Sequence, residues 1–324
     1  MRKRLFFWAA MAVAAVGSLT SCEDILGHWE RPTAAVPTPS DGGGNDPTPT
    51  PTPAPETGPL ATPLTFEAKD AAAQVKLAKN GSIDVSQIYY KLNDGAWLPY
   101  TIGDAITLAN AGDKVSFWSA NEQMAQSDYD YVNFSISDGE CYVYGNVMSL
   151  IDDADGATKE SPKFSEDTEL GGTGYTLCSL FKSCNKLFSH PEKKFMLPAT
   201  DLRVFCYSKM FSDCTKLETA PELPATELVN NCYDQMFYNC TSLTATPMLP
   251  ATELQSECYQ KMFSGCTALQ TAWVKAGYDD YKCQDMFADV PSGGTLHTTE
   301  TAYSSWNGAG TAKGGLTVDK HWAD

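Results

Sequence analysis

Residues 206–231 read CYSKMFSDCTKLETAPELPATELVNN, and residues 232–257 read CYDQMFYNCTSLTATPMLPATELQSE. Fourteen of the 26 positions are identical between these two stretches. A third copy begins at Cys258 and diverges after Ala272, and an earlier copy that ends at Leu202 carries four extra residues. A unit of this length cannot bury its apolar side alone, so stacked neighbours must share one core. The sequence therefore predicts a solenoid.

Prolines limit what each repeat can form. Pro224 and Pro250 interrupt the Leu-Pro-Ala-Thr segments and exclude a long helix there. We expect each repeat to combine an extended Leu-x-x-x-Pro-x-Leu-Pro segment with a helical or 3-10 turn over Tyr-x-x-Met-Phe-x-x-Cys. The glycine-rich residues 284–324, which include Trp306 and Trp322, are expected to cap the last repeat.

The repeat period also explains most of the cysteines. Two columns of equivalent cysteines result, one at Cys206, Cys232 and Cys258 and the other at Cys214, Cys240 and Cys266. Stacked repeats place equivalent residues about 4.8 Å apart with parallel side chains, which suits buried thiols better than disulfide bonds. The alternative is disulfide pairing, which an oxidising compartment permits.

Residues 64–150 have a different pattern, with short alternating runs separated by turn signals. Runs such as Ile88–Leu92 and Tyr131–Ile136 have the period of a strand, and Asn93-Asp94-Gly95 is typical of a hairpin turn. Strands at this spacing without a helix predict an all-β, immunoglobulin-like sandwich. Three aromatic residues of this module are interpreted as core residues, namely Trp97, Tyr100 and Trp118. The alternative is that they form a sugar-binding platform.

The first residues are typical of export. Arg2 to Arg4 are followed by an apolar run that is too short to span a membrane, and then by Leu-Thr-Ser before Cys22. The segment resembles the lipobox of bacterial lipoproteins, which implies cleavage before Cys22 and acylation of its thiol. An ordinary signal peptide with a chance cysteine is the alternative. Glu23 and Asp24 resemble the surface-export signal of some gram-negative lipoproteins.

A proline- and threonine-rich stretch follows the signal. Such a composition cannot bury apolar surface and favours extended polyproline II. The expected organisation is thus a lipoprotein signal peptide at 1–21, a Pro/Thr-rich tether at 22–63, the β-sandwich module at 64–150, and a repeat solenoid with its C-terminal cap at 151–324.

Charge and motifs restrict the function classes. Forty acidic against 23 basic side chains give a net charge of −17, which argues against a nucleic-acid partner. The chain contains only four histidines and lacks Gly-x-Ser-x-Gly, a phosphate loop and His-Glu-x-x-His. We therefore predict no enzymatic activity, no metal and no cofactor.

The repeats resemble the BspA-like class of leucine-rich repeats. In that motif Cys206 takes the isoleucine position, while Phe211, Cys214 and Leu217 match the family residues. The unit here is about three residues longer, and Met210 replaces alanine. The resemblance implies a surface lipoprotein of the outer membrane, exposed on the cell, with an extracellular binding or adhesion role.

The predicted function is therefore lipid-anchored, adhesion-type binding of a macromolecule through the solenoid. The alternative is a glycan-binding lipoprotein that captures carbohydrate through the β-sandwich. The partner would be an extracellular protein or glycan, and the membrane would be reached only through the lipid on Cys22. Positions that vary between repeats are the candidate contacts, namely Glu218, Glu222, Thr244, Met248 and Gln270.

Overall fold

The structure is a computed structural model that describes residues 59–151 and 168–322. These residues belong to one compact unit, Pro53–Asp324. Strands β1 to β15 are Thr65–Ala68, Ala73–Asn80, Ile88–Leu92, Leu98–Pro99, Ala105–Leu108, Lys114–Ser119, Ala125–Ser127, Asp130–Ser137, Cys141–Asn146, Leu187–Ser189, Phe195–Met196, Ala245–Leu249, Thr271–Val274, Thr295–His297 and Thr317–Asp319. Helix α1 is Glu300–Asn307, and 3-10 turns lie at Pro59–Ala61, Val147–Leu150 and Gly310–Lys313.

The strands predicted for the first module are confirmed. In β2, buried and partly exposed side chains alternate as the period of two requires, because one face packs on the core. The predicted hairpin joins β3 to β4 as an antiparallel pair, with Asn93 in the left-handed region at φ 50°. Asparagine tolerates that conformation better than most residues, which explains its place in the turn.

Three sheets are formed by these strands. The largest has seven strands in the order β10-β9-β1-β6-β3-β4, with β11 also paired to β9. A second has the order β5-β2-β8-β7, and its pairs are antiparallel. The third, β12-β13-β14-β15, is parallel throughout.

The predicted fold class, an immunoglobulin-like sandwich followed by a BspA-like leucine-rich-repeat solenoid, is wrong. The structure is mostly β, with 30% strand and 7% helix in three open sheets. The physical reason lies in the first repeat along the chain, the copy that ends at Leu202. Its strands β10 and β11 pair in parallel with β9 of the first module. One sheet thus contains strands from both predicted parts. The domain boundaries proposed from the sequence stay a prediction.

Successive repeats are joined by backbone hydrogen bonds. The N–H groups of Tyr207, Lys209 and Phe211 donate to carbonyls of the next repeat at 3.0, 2.9 and 2.9 Å. The intervening N–H groups bond within their own repeat, as from Ser208 to Phe205 at 3.1 Å and from Met210 to Tyr207 at 3.2 Å. Each turn segment therefore divides its donors between its own repeat and its neighbour.

This division corrects the predicted helical or 3-10 turn. Every fourth residue of the segment takes positive φ, as at Phe205 (57°), Lys209 (55°) and Asp213 (62°), and the next repeat does so at Asn231, Gln235 and Asn239. A helix would have used all the N–H groups internally. Left-handed residues cost about 1 kcal/mol or more each, and the bonds between repeats offset that cost.

A column of phenylalanine rings connects the first module to the last repeat. Phe134 of β8 stacks on Phe181 with centroids 5.6 Å apart, and the same stacking continues at 5.2 to 5.6 Å through each later repeat. The later rings are Phe211, Phe237, Phe263 and Phe287, all fully buried. Backbone bonds from Met124 and Phe134 to the first repeat accompany the stacking, at 2.7 and 2.8 Å. The first module thus packs as one end of the repeat stack.

The ten cysteines of the described residues are buried and unpaired, and for the six that form the two columns this is what the column argument predicts. In the second column, the thiol of Cys240 donates to the Phe211 carbonyl at 3.1 Å, and Cys266 donates to Phe237 at 3.1 Å. Burial raises the pKa of Cys258 to about 11 and that of Cys266 to about 12. Such thiols are protonated at neutral pH and behave as small apolar side chains.

The C-terminal residues cover the last ring of the column. Helix α1 is capped at its start by the Thr299 side chain, which accepts from the Ala302 N–H. Its Trp306 is fully buried, lies 5.8 Å from Phe287, and donates from Nε1 to the Ala276 carbonyl at 2.8 Å. The apolar surface of the indole is therefore buried, and its N–H group is hydrogen-bonded.

Candidate ligand-binding cleft

The four extra residues of the first repeat form a loop beside β9. Because β10 and β11 both pair with β9, the residues between them must project away from the sheet. The ring of His190 shapes this loop, since its Nδ1 accepts the N–H groups of Glu192 and Lys193, each at 3.0 Å. We call residues 190–194 the insertion loop.

Glu67 of β1 anchors the insertion loop. Its Oε2 lies 2.6 Å from Lys193 Nζ and accepts the Tyr144 hydroxyl at 3.1 Å. Burial by itself would raise the pKa of Glu67, but the hydrogen bond and charge of Lys193 outweigh it, so that the pKa is lowered. The carboxylate is therefore ionised at neutral pH and holds the loop on the sheet.

His190 is packed rather than presented to solvent. Its side chain is 8% exposed, and its ring lies 5.2 Å from the rings of both Tyr142 and Tyr144. Burial, with the charge of Lys193, lowers the pKa of His190 below its ordinary value near 6.5. The ring is neutral at pH 7, so its contact with Glu67 at 3.9 Å is not an ion pair under those conditions.

An open cleft of about 680 Å³ lies between the insertion loop and the following repeat. Lys194 Nζ and Glu222 Oε1 connect the two sides at 2.9 Å, and both side chains are largely exposed. Its lining combines aromatic, proline and charged residues, among them Phe188, Pro191, Lys193, Glu218, Pro221 and Glu222. The volume falls within the range of pockets that hold a small ligand or one segment of a larger one.

The sequence-predicted contact residues divide between this cleft and the adjoining surface. Glu218 and Glu222 line the cleft, whereas Thr244, Met248 and Gln270 do not. Backbone hydrogen bonds still place three of them in one row. The Thr244 N–H donates to the Glu218 carbonyl at 3.4 Å, and the Gln270 N–H donates to the Thr244 carbonyl at 2.8 Å. All five side chains are exposed.

Sequence reasoning missed the other wall of the cleft. The insertion loop and its anchor Glu67 are 123 or more residues apart in the chain, so only the fold brings them together. The available signal was the excess of four residues in the first repeat, because an insertion into a stacked unit must leave the stack.

The aromatic residues considered as a sugar platform have structural roles. Trp118 is 4% exposed and lies 5.1 Å from the Tyr89 ring, which places it in the core. Trp97 and Tyr100 are partly buried and pack against the same core. Substitution of Trp118 would therefore disturb folding before it disturbed any surface.

Other predicted features lie outside the described residues. These are Cys22 with its acidic neighbours and all of the tether before residue 59. Among residues 59–151 and 168–322, no group of three or more His, Cys, Asp or Glu side chains could hold a metal ion. No helix in that part of the chain has the length and apolar character needed to cross a membrane.

The chain was compared with protein-family models, with curated proteins and with solved structures, and no match was found. The resemblance of the repeats to the BspA-like class therefore stays a prediction that depends on the quoted motif alone.

Proposed function

We propose that this chain is a non-enzymatic, lipid-anchored bacterial surface protein that binds an extracellular macromolecule, in the manner of an adhesin. The observation that supports the proposal best is the cleft between the insertion loop and the repeat at 206–231. Two contact candidates that were identified from the sequence, Glu218 and Glu222, both line it. One loop or strand of a partner can enter a cleft of this volume while the rest of the partner contacts the adjoining repeats.

The exposed row beside the cleft extends the contact surface. Glu218, Thr244 and Gln270 differ in chemistry, while the buried phenylalanine of the same repeats is unchanged from repeat to repeat. Surface residues in such an array can vary without cost to the core, which is how stacked repeats generate specific binding faces. Export and lipid attachment, as the sequence predicts, would place this face outside the cell.

The experiment measures binding of the full-length chain to immobilised extracellular-matrix proteins by interferometry, with fibronectin, laminin and type I collagen as probes. We expect saturable binding to at least one of them. The intact chain is needed, because a fragment that begins at residue 150 would remove β9 from its pairing with β10 and β11.

Charge reversal tests the cleft itself. Glu218→Lys with Glu222→Lys should weaken that binding by about tenfold or more, since it removes the Lys194 contact and inverts the wall charge. Glu227→Lys with Glu253→Lys is the matched control, because it makes the same charge change at two exposed positions outside the cleft. Failure of all three probes to bind saturably, or equal loss in the control, would contradict the proposal.

A further inference from the structure

A second surface lies at the C-terminal end of the parallel sheet. Strands β13, β14 and β15 pair in register, and their middle residues Ala272, Leu296 and Val318 are buried. The residues on either side therefore face outward in two rows. The threonine row is Thr271, Thr295 and Thr317, and the aromatic row is Trp273, His297 and Asp319.

Three aromatic rings cluster at the aromatic row, namely Trp273, His297 and Trp322. The rings of Trp273 and His297 stack with centroids 4.1 Å apart and planes 18° from parallel. Trp322, which follows β15, stands at 77° to Trp273 with its centroid 6.2 Å away. All three rings are partly exposed. Trp273 and Trp322 thus meet nearly at right angles in a partly exposed aromatic corner, in which the His297 ring covers one face of Trp273.

Polar groups border the corner. The Asp319 carboxylate lies 3.2 Å from His297 Nδ1, and its side chain is 36% exposed. Threonine hydroxyls lie two residues away along each of the three strands. Flat aromatic surface next to hydroxyl and carboxylate groups matches the chemistry of a pyranose ring, which has an apolar C–H face and a rim of hydroxyls.

We propose that this surface, the Trp273–His297–Trp322 corner with its threonine row, is a binding site for a neutral glycan chain. The sugar rings would stack on the indoles, and their hydroxyls would exchange hydrogen bonds with Asp319 and the threonines. The site is separate from the cleft and does not depend on the function proposed for it.

Size argues against a protein partner. Three strands spaced about 4.8 Å apart, each three residues long at about 3.3 Å per residue, present roughly 140 Å². A stable protein interface needs about 800 Å² on each partner. A few sugar rings cover the smaller area.

Charge selects between kinds of glycan and against a cation. Asp319 would repel a uronic acid or sulfated sugar, and the nearby Lys320 is already paired with Glu300 at 3.1 Å. A cationic ligand is also disfavoured, because the Lys275 ammonium already lies over the Trp322 ring at 5.9 Å. A neutral polyhydroxylated ligand is what remains.

Affinity electrophoresis of the full-length chain tests the proposal, with xyloglucan, galactomannan or hydroxyethylcellulose in the gel, and polygalacturonate as the charged comparison. We expect retardation by at least one neutral polymer beyond that by polygalacturonate. Trp273→Ala and Trp322→Ala should each weaken the neutral interaction by about tenfold. Trp97→Ala, a partly buried tryptophan of the first module, should leave it unchanged.

Trp322→Ala keeps the test decisive even if Trp273→Ala fails to fold, because residue 322 lies beyond the last strand. Absence of retardation by all three neutral polymers would overturn the proposal. So would retardation that persists in Trp322→Ala, or stronger retardation by polygalacturonate.

Discussion

Asp234 is a buried carboxyl group in the repeat stack, and its ionisation should limit stability. It is 5% exposed and accepts hydrogen bonds from Ser208 at 3.3 Å and from Gln235 at 3.1 and 3.2 Å. Burial raises its pKa from 3.8 to about 6, although the Gln235 bond and the charge of Lys209 act in the opposite direction. Lys209 itself is paired with Asp128 at 2.6 Å.

The sign of the effect follows from that raised pKa. The folded state holds this proton more tightly than the unfolded state, so its contribution to stability is full below about pH 3.8 and is lost as the pH rises through about 6. A shift of about two units corresponds to about 3 kcal/mol at 1.36 kcal/mol per unit. Ionised Asp234 should therefore cost the folded state about 2 to 3 kcal/mol above pH 7.

Asp234→Asn keeps the shape and one acceptor oxygen but removes the charge. The variant should be more stable than the wild type by about 2 to 3 kcal/mol at pH 7.5, and by less than about 1 kcal/mol at pH 4. Urea unfolding followed by tryptophan fluorescence at both pH values measures this difference. Asp94→Asn, an exposed carboxyl in the β3–β4 turn, is the matched control. Equal gains at the two pH values, or a loss at pH 7.5, would refute the reasoning.

Three further substitutions test the core and the anchor of the insertion loop. Tyr233→Phe removes a buried hydroxyl that has no hydrogen-bond partner, and should raise the free energy of unfolding by about 1 kcal/mol in urea titration; destabilisation would show that the hydroxyl is satisfied. Phe237→Ala removes a fully buried ring that stacks at 5.4 Å on both neighbouring repeats, so a loss of about 3 to 5 kcal/mol is expected, and a loss below about 1 kcal/mol would contradict the continuous column. Because the pKa of Glu67 is lowered, its ionised carboxylate stabilises the folded state above the unfolded pKa, and this stabilisation is lost on acidification. Glu67→Gln should therefore lower the thermal unfolding temperature at pH 7 but not at pH 3.

Much of the local structure was predictable from periodicity. The alternating runs of the first module form the expected strands, and Asn93 takes the left-handed turn conformation that its residue type tolerates. The repeated Phe and Cys positions form buried columns, because a fixed period repeats the same inward geometry.

What failed depended on contacts between distant segments. The residues around Leu187 and Phe195 carry no local pattern that indicates pairing with β9, so the shared sheet was not predicted. The turn segment was misjudged because single-repeat propensities do not include the N–H groups donated to the next repeat. Positive φ at residues such as Phe205 and Lys209 is tolerated only through those bonds.

The candidate site was predicted in part for the same reason. Variation between repeats identified Glu218 and Glu222, because exposed positions are free to differ. The opposite wall required the insertion loop to be placed against Glu67 and Tyr144, which is a tertiary relationship. Trp273 and His297 likewise become neighbours only through the parallel register of β13 and β14.

Binding of an extracellular ligand requires the repeats to face the outside of the cell, because a chain held on the inner side cannot reach such a ligand. Proteinase K treatment of intact cells, followed by immunoblotting of cells and supernatant, measures this directly. We predict that the cell-bound chain is lost and that a fragment containing the folded unit appears in the supernatant while a periplasmic marker stays intact. A chain that remains cell-bound until the outer membrane is permeabilised would contradict the proposed surface-binding function.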